Sequence, residues 1–481
     1  MNGDPPPAPA PEKIDKRLVQ TAFVLVLGTF MATLDATIVS VGIGTLAREF
    51  DVGVTEVQWV STAYLLAVVA AVPASGWLAD RFGGRRTWIT AVVVFLLASV
   101  LCALSWSLTS LVVFRVLQGL AGGLLPPTGQ ALLARAAGPR RIGRMISIVG
   151  IVPLLSPVLG PLVGGSILSV ADWPWLFLVN IPIGLVAVVL GLRVVTAHSP
   201  AAAGARFDLR GAMLLSPGLA VLVLGLTEIG DGGGATTLAV AGVVVGAAML
   251  AGFVVHGLRT RATPLIDPRL FTRPPFGAAA LALVILGASM FGALFLLPLY
   301  LQTGRGLSAW ETGLLLAPQG VGAAVGSIVV NRTVDRLATR TLVLTGIALI
   351  AAGTVVFTQL DHAPPDGLIA ASLLIRGLGI AMIGAPVMAL VYRTMEPAMI
   401  PRASGALNLL STVGGSIGTA VLAVVLQSRL DARAPAGDAG VTLAFADTFW
   451  WVLGFCLVAV LGASRLSRRS AARDAESSAA G

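Results

Sequence analysis

The first residue that could do chemistry is Asp35, in LDATIVS, a carboxylate near the middle of an apolar run that starts at Leu18. At such a depth a carboxylate costs about 2.5–3.5 kcal/mol on insertion scales. Something must offset that cost, and Arg115 is placed to do so. At the helical rise, Asp35 lies about 22 Å from one end of its run and Arg115 about 9 Å from the opposite end of another. In an apolar core of about 30 Å the two depths nearly coincide. A pair of this kind is either a locked structural ion pair or a group that takes and gives a proton as its cation moves. Arg376, in IRGLGIAMIGAP, lies at a similar depth and repeats Arg115 of RVLQGLAGG at an offset of 261 residues, whereas Asp35 falls on Met290 at an offset of 255. The basic position is therefore duplicated and the acidic one is not. Asp35, Arg115, Gln118, Met290 and Arg376 form the expected substrate cavity. Glu228 is a second candidate acid, but it sits at a helix end in EIGDGGG, where an interfacial carboxylate needs no function.

Other chemistry lacks its residues. Cys102 and Cys456 both lie inside apolar runs, and the three histidines have no ligand spacing, so neither a disulfide framework nor a metal site is expected. No Gly-rich Lys-Ser/Thr phosphate loop is present, and no Ser-His-Asp or paired-carboxylate constellation appears in the apolar runs. The sequence does not read as an enzyme, and no cofactor beyond a proton gradient is expected.

The elements that position these residues must be membrane helices. With 56% apolar and 11% charged residues, the composition departs far from that of a soluble globule. About 20 apolar residues span a bilayer, and on that measure the chain carries fourteen spans, the first at 19–46 and the fifth at 141–169. The first is too long for a cleaved signal peptide. The net charge of +9 does not indicate nucleic acid, because the basic residues fill short loops without interleaved aromatics. They report orientation instead. With both termini cytoplasmic, 26 of the 32 basic residues fall on the cytoplasmic side, as the positive-inside rule requires.

A duplication organises the spans. Asp80, Arg81 and Arg85 of GWLADRFGGRR fall on Asp335, Arg336 and Arg340 of NRTVDRLATR at an offset of 255 residues. The expected divisions are a disordered N-terminus at 1–17, a six-helix half at 18–200, two inserted helices at 201–262, a second six-helix half at 263–466 and a disordered tail at 467–481. Six helices per copy make the halves parallel repeats, with a site between them. Lying outside the duplication, the inserted pair is expected to be peripheral and to serve neither gate. The expected fold is thus an all-α polytopic membrane protein.

Positive-inside bias explains the arginines of the repeated hairpin but not an aspartate at the same place in both copies. A carboxylate there can cap a neighbouring helix N-terminus and be released when the halves rock. Gly76, Asp80, Arg81, Gly83, Arg85, Asp335, Arg336 and Arg340 are the expected cytoplasmic gate. In SPVLGPLVGG, Ser156, Gly160 and Gly164 recur every four residues beside Pro157 and Pro161, which gives a flat face on a bendable helix. Glycine runs at Gly322 and Gly326 and at Gly414, Gly415 and Gly418 extend that feature to the second half. Singly they read as close packing, and as a set as gliding interfaces.

With these residues assembled, the chain resembles the major facilitator superfamily, and within it the fourteen-helix drug:proton antiporters. LDATIVS, GWLADRFGGRR, RVLQGLAGG, PVLGPLVGG and WPWLFLVNIPIG are similar to five of that family's motifs, in the family's order. The resemblance implies the major facilitator fold. It gives proton coupling to Asp35 and Arg115, the cytoplasmic gate to Asp80 and Arg85, and an antiport hinge to Pro157, Gly160, Pro161, Gly164 and Gly165. It also implies a bacterial inner-membrane protein, monomeric in the lipid bilayer, that exports a lipophilic or cationic small molecule in exchange for protons. Ser40 and Gly44 replace the usual Asn and Pro of the first motif, and Pro174 replaces an Arg. Two rivals remain: proton-coupled uptake of a nutrient or siderophore, and a transport-inactive sensor that would tolerate loss of Asp35.

Overall fold

The computed structural model describes residues 15–149, 152–196, 208–230, 237–260, 264, 266–272, 274–307, 309–334, 336–360, 364–395, 399–433, 435 and 437–464. Most of the two termini called disordered above, and Asp335, therefore lie outside the described residues. Every regular element among those described is helical. In lipid that is one of only two ways to satisfy the backbone.

The first half opens with α1 (Lys16–Glu49), started by the Asp15 side chain accepting from Arg17 N. Then come α2 (Val54–Ala71) and α3 (Ala74–Phe82), bent by 56° across the break at Val72 and Pro73. A turn at Gly83, whose φ of 88° suits glycine, leads into α4 (Gly84–Ala103). Next is α5 (Leu108–Gly122), whose start is closed by a reciprocal Ser107–Ser110 cap. It continues into α6 (Leu125–Val149), which is broken at Gly138 (φ 69°) before Pro139. The half ends with α7 (Val152–Val170), α8 (Trp175–Leu178) and α9 (Asn180–Val194). The inserted pair is α10 (Leu209–Gly230) and α11 (Thr237–Arg259). The second half comprises α12 (Pro274–Leu299), α13 (Ala309–Thr333), α14 (Thr339–Val355), α15 (Asp366–Thr394), α16 (Ile400–Arg433) and α17 (Gly437–Ala463).

Twelve helices among the described residues are long and apolar enough to cross a membrane, and thirteen when the bent α2–α3 pair counts as one span. The expected number was fourteen. The expected fifth span runs through residues 150–151, which lie outside the described set.

The glycine runs of the second half lie between helices of that same half. A Cβ on Gly322 would stand 2.0 Å from Leu374 O and one on Gly326 2.6 Å from Leu378 O, which sets α13 directly against α15. Gly414 approaches Val284 O and Gly418 approaches Ala288, so α16 lies on α12 in the same way. Close backbone approach is what small residues provide where lipid supplies no hydrophobic drive. The most confined position is Gly377, where a Cβ would fall 1.9 Å from Gln319 O. Gly377→Ala is expected to push α13 off α15 and cost about 1–3 kcal/mol, read as a lowered thermal unfolding midpoint in detergent.

The two halves meet along α6 and α7 on one side and α13, α15 and α16 on the other, with α3 reaching α16. The inserted hairpin departs from the expectation of a purely peripheral element. α10 packs on α11 through Gly218, Gly225 and Gly246, and it also packs against α2 of the first half and α16 of the second. A hydropathy profile shows that a span exists but not which crevice it fills.

Candidate functional site

Asp35 is fully buried within the first half, and so is Arg115. Arg115 Nη1 donates to Asp35 Oδ2 at 2.5 Å. The depth argument allowed a pair, direct or through water, and the contact is direct. Two amides complete the acid's surroundings: Gln118 Nε2 and Asn180 Nδ2 donate to Asp35 Oδ1 at 3.0 and 2.7 Å. An ionised carboxylate is acceptor-only, and here donors from α5 and α9 reach both of its oxygens.

The cation is held as tightly as the acid. Arg115 Nε donates to Val60 O on α2 at 3.1 Å, Nη1 also reaches Gln118 Oε1 at 2.7 Å, and the guanidinium lies over the Tyr64 ring, 4.0 Å from its centroid. Tyr64 is itself fixed by its hydroxyl donating to Ala32 O at 2.9 Å. Gln118 Nε2 donates to Ser99 Oγ on α4 at 2.7 Å. Five helices thus converge on one buried charge pair. Removing one partner of such a pair costs about 3–5 kcal/mol because the other is left buried and uncompensated. Arg115 Nη2 and Asn180 Oδ1 are buried without a hydrogen-bond partner, so the network retains unused polar capacity beside Asp35.

Asn180, Ser99 and Tyr64 were not anticipated as members. Asn180 stands inside WPWLFLVNIPIG, and a lone buried amide in an apolar helix was the signal that could have found it. The other expected cavity residues lie elsewhere. Met290 is partly buried on α12, and Arg376 on α15 is fully buried in the second half, where it donates to Thr354 Oγ1 and Ser289 O. The structure does not bring Arg376 to Asp35. Glu228 is exposed near the end of α10.

The segment of α7 expected to be a hinge lies against the acid's own helix. Thr33 and Thr37 stand two residues either side of Asp35, and both reach Ser156 on α7: Thr33 Oγ1 and Ser156 Oγ are 2.7 Å apart, and Thr37 Oγ1 donates to Ser156 O at 3.0 Å. One turn on, a Cβ on Gly160 would meet Thr37 Oγ1 at 2.2 Å. Gly164 is buried and Gly165 partly so, while Pro157 and Pro161 lie within α7 with side chains outside the described residues. α7 in turn packs on α13 of the other half. One helix, α7, therefore stands between the helix that carries Asp35 and the other half.

At the arginine-rich face the halves are sealed together. Arg402 Nε on α16 donates to Asp80 Oδ2 at 3.0 Å, and Arg135 Nη2 lies 3.9 Å from Asp80 Oδ1. Gly76 allows α3 this close, since a Cβ there would stand 3.0 Å from Arg402 Cα. The carboxylate is thus beside the first turn of α16, which begins at Ile400, but it is the Arg402 side chain that holds it and not a helix-end N–H as expected. Deeper in, Gln130 Oε1 accepts from Asn408 Nδ2 at 2.8 Å and from the Tyr392 hydroxyl at 3.4 Å, and Ser404 Oγ donates to Pro127 O at 2.8 Å. Arg85 stays within its half and donates to Leu192 O. Arg81 and Arg340 are partly buried and Arg336 is exposed.

Asp80→Asn should weaken this seal without touching the Asp35 network, because it removes one charge from a pair that crosses the halves. Exchange is expected to slow while equilibrium substrate binding is retained, with vesicle flux measuring the first and binding in detergent the second. Equal loss of both would make the hairpin a support of the fold rather than of the gate.

Comparison with known proteins gives one consistent result. The profile of the Major Facilitator Superfamily matches residues 25–419. A Mycobacterium tuberculosis protein, "Multidrug resistance protein B homolog", is 39% identical over 427 residues, covering 88% of this chain and 78% of that protein. The "Tetracenomycin C resistance and export protein" of Streptomyces glaucescens is 31% identical, covering 85% of this chain and 76% of that protein. Among solved structures, the proton:xylose symporter XylE matches with a TM-score of 0.62 at 16% identity over 92% of this chain and 94% of that one. The human organic anion transporter MFSD10 matches with a TM-score of 0.63 at 15% identity over 91% of this chain and 99% of that one.

Proposed function

Because the chain belongs to the major facilitator superfamily and is a membrane transporter rather than an enzyme, we propose that it exports a lipophilic or cationic small molecule, such as a drug, antibiotic or dye, in exchange for protons. The observation that carries this reading is the Asp35–Arg115 pair, fully buried and placed on the helix against which the α7 hinge segment lies. Relatives named for drug resistance and export support the direction and the cargo class.

The coupling follows from charge balance. Protonation of Asp35 removes the acceptor that compensates Arg115, and a buried guanidinium without a counter-charge is costly. The network must then rearrange, and the rearrangement moves α1 against α5 and α9. α1 is fastened to α7, and α7 lies on α13, so a change at Asp35 biases how the halves meet. Rocking would open the Asp80–Arg402 seal and alternate access to a site between the repeats. In this reading the arginine-rich face is cytoplasmic, both termini are cytoplasmic, and the protein acts as a monomer in the bacterial inner membrane.

The test is an efflux panel of dyes and antibiotics in a host lacking its own pumps. Expression should lower accumulation of at least one compound, and a protonophore should restore it. Accumulation that rises on expression would favour uptake, and no change for any compound, with the protein correctly inserted, would remove the export reading.

A further inference from the structure

The duplication places a second buried arginine where no acid answers it. In the first half Arg115 is compensated by Asp35, with Ser99 beyond the linking amide. In the second half Arg376 repeats Arg115, and Thr354 repeats Ser99 at an offset of 255 residues. Arg376 is fully buried. Its Nη1 donates to Thr354 Oγ1 at 2.6 Å and its Nη2 to Ser289 O at 3.3 Å, both uncharged acceptors. Its Nε has no hydrogen-bond partner. Among the described residues no carboxylate pairs with it. A guanidinium keeps its proton under all ordinary conditions, and buried charges are normally paired.

A cavity lies beside this unanswered charge. It is lined by Ser289 of α12 and Cys456 of α17, with Leu286, Ile347, Ile350 and Ile383 among its apolar walls. Ser289 is only 4% exposed, and its Oγ has the Cys456 thiol beside it but no oxygen or nitrogen partner. Ser289 adjoins Met290, the position onto which Asp35 maps, so the cavity occupies the neighbourhood where the first half carries its acid. Arg376 does not line the cavity but reaches its wall through the Ser289 carbonyl, and its unpartnered Nε with the Ser289 hydroxyl, at the edge of an apolar space, favours an anion with one charge and few hydration demands.

We propose that the second half binds a small monovalent anion, chloride, between Arg376 and Ser289, in the role that Asp35 fills in the first half. The anion completes the fold of that half and sets its resting charge. This site is separate from the Asp35 network and does not depend on the exporter reading.

The experiment is thermal unfolding of the purified full-length protein in detergent, at constant ionic strength, with gluconate exchanged stepwise for chloride or for acetate. The midpoint is expected to rise with chloride and to saturate. At a hundred times the dissociation constant the folding equilibrium shifts about a hundredfold. Acetate is too large for this cavity and should leave the midpoint unmoved, and a response to acetate without one to chloride would overturn the proposal. Ser289→Asp, which supplies a tethered carboxylate, should be stable in gluconate and lose the response, and Arg376→Met should lose it as well. A flat wild-type midpoint would overturn the proposal. So would a response undiminished in Ser289→Asp, or an equal response to sulfate in wild type and variant, which would mark a general salt effect.

Discussion

Asp35→Asn is expected to reduce proton-gradient-driven uptake into inverted vesicles to the level of vesicles without the protein. The substitution keeps the size of the side chain and one acceptor oxygen, which can still face Arg115 Nη1, but it removes the titration. It also leaves Arg115 without its charge partner at a place where both groups are fully buried, so the variant carries a stability cost of about 3–5 kcal/mol. Two controls separate the effects. Asp35→Glu keeps a titratable group and should recover part of the transport if coupling is the role. Substrate binding in detergent should persist for a neutral compound and weaken for a cationic one, which would also report the charge of the cargo. If the Asn variant accumulates substrate against its gradient as wild type does, Asp35 is only a structural partner of Arg115, and the coupling acid has to be sought at Glu228.

A disulfide between α3 and α16 is expected to stop transport completely and reversibly. A Cβ added at Gly405 would stand 3.1 Å from Ser75 Oγ, which brings the two β-carbons into the range of about 3.5–4.5 Å that a disulfide spans. Ser75 belongs to the first half and Gly405 to the second, so the bond would tie the halves at the arginine-rich face. The native Cys102 and Cys456 are buried and should not compete for oxidant. Ser75→Cys with Gly405→Cys, oxidised in membranes, should show vesicle flux at background, and reduction should restore it. Either single variant should be insensitive to oxidant. Full transport with the bond formed would mean that the halves do not separate at this face during the cycle.

Much of this arrangement is legible in the sequence, and what is not has a physical reason. Depth along an apolar run follows from helical rise alone, so the meeting of Asp35 with Arg115 could be read from two positions 80 residues apart. The rotation of each helix, and the neighbour it faces, does not follow in this way. Asn180 was consequently one polar residue in an apolar segment until α9 turned it toward Asp35. The partner of Asp80 was hidden for a related reason: Arg402 lies 322 residues away and looks like any other arginine of a cytoplasmic loop. The small-residue spacing of Gly322, Gly326, Gly414 and Gly418 announced close backbone contact correctly. It could not distinguish a helix of the same half from one across the interface, because both demand the same absence of a side chain.

The inserted hairpin leaves a mechanical consequence. α10 rests on α2 in one half and on α16 in the other, and a body in contact with two parts that rotate against each other cannot stay fixed to both. In the rocking motion proposed above, each cycle drags it across one of those surfaces, which makes α10 a friction element lying outside both the charge network and the seal. The speed of the cycle, rather than its affinity or its proton stoichiometry, is the property that bulkier or smaller side chains on the faces of α10 would change.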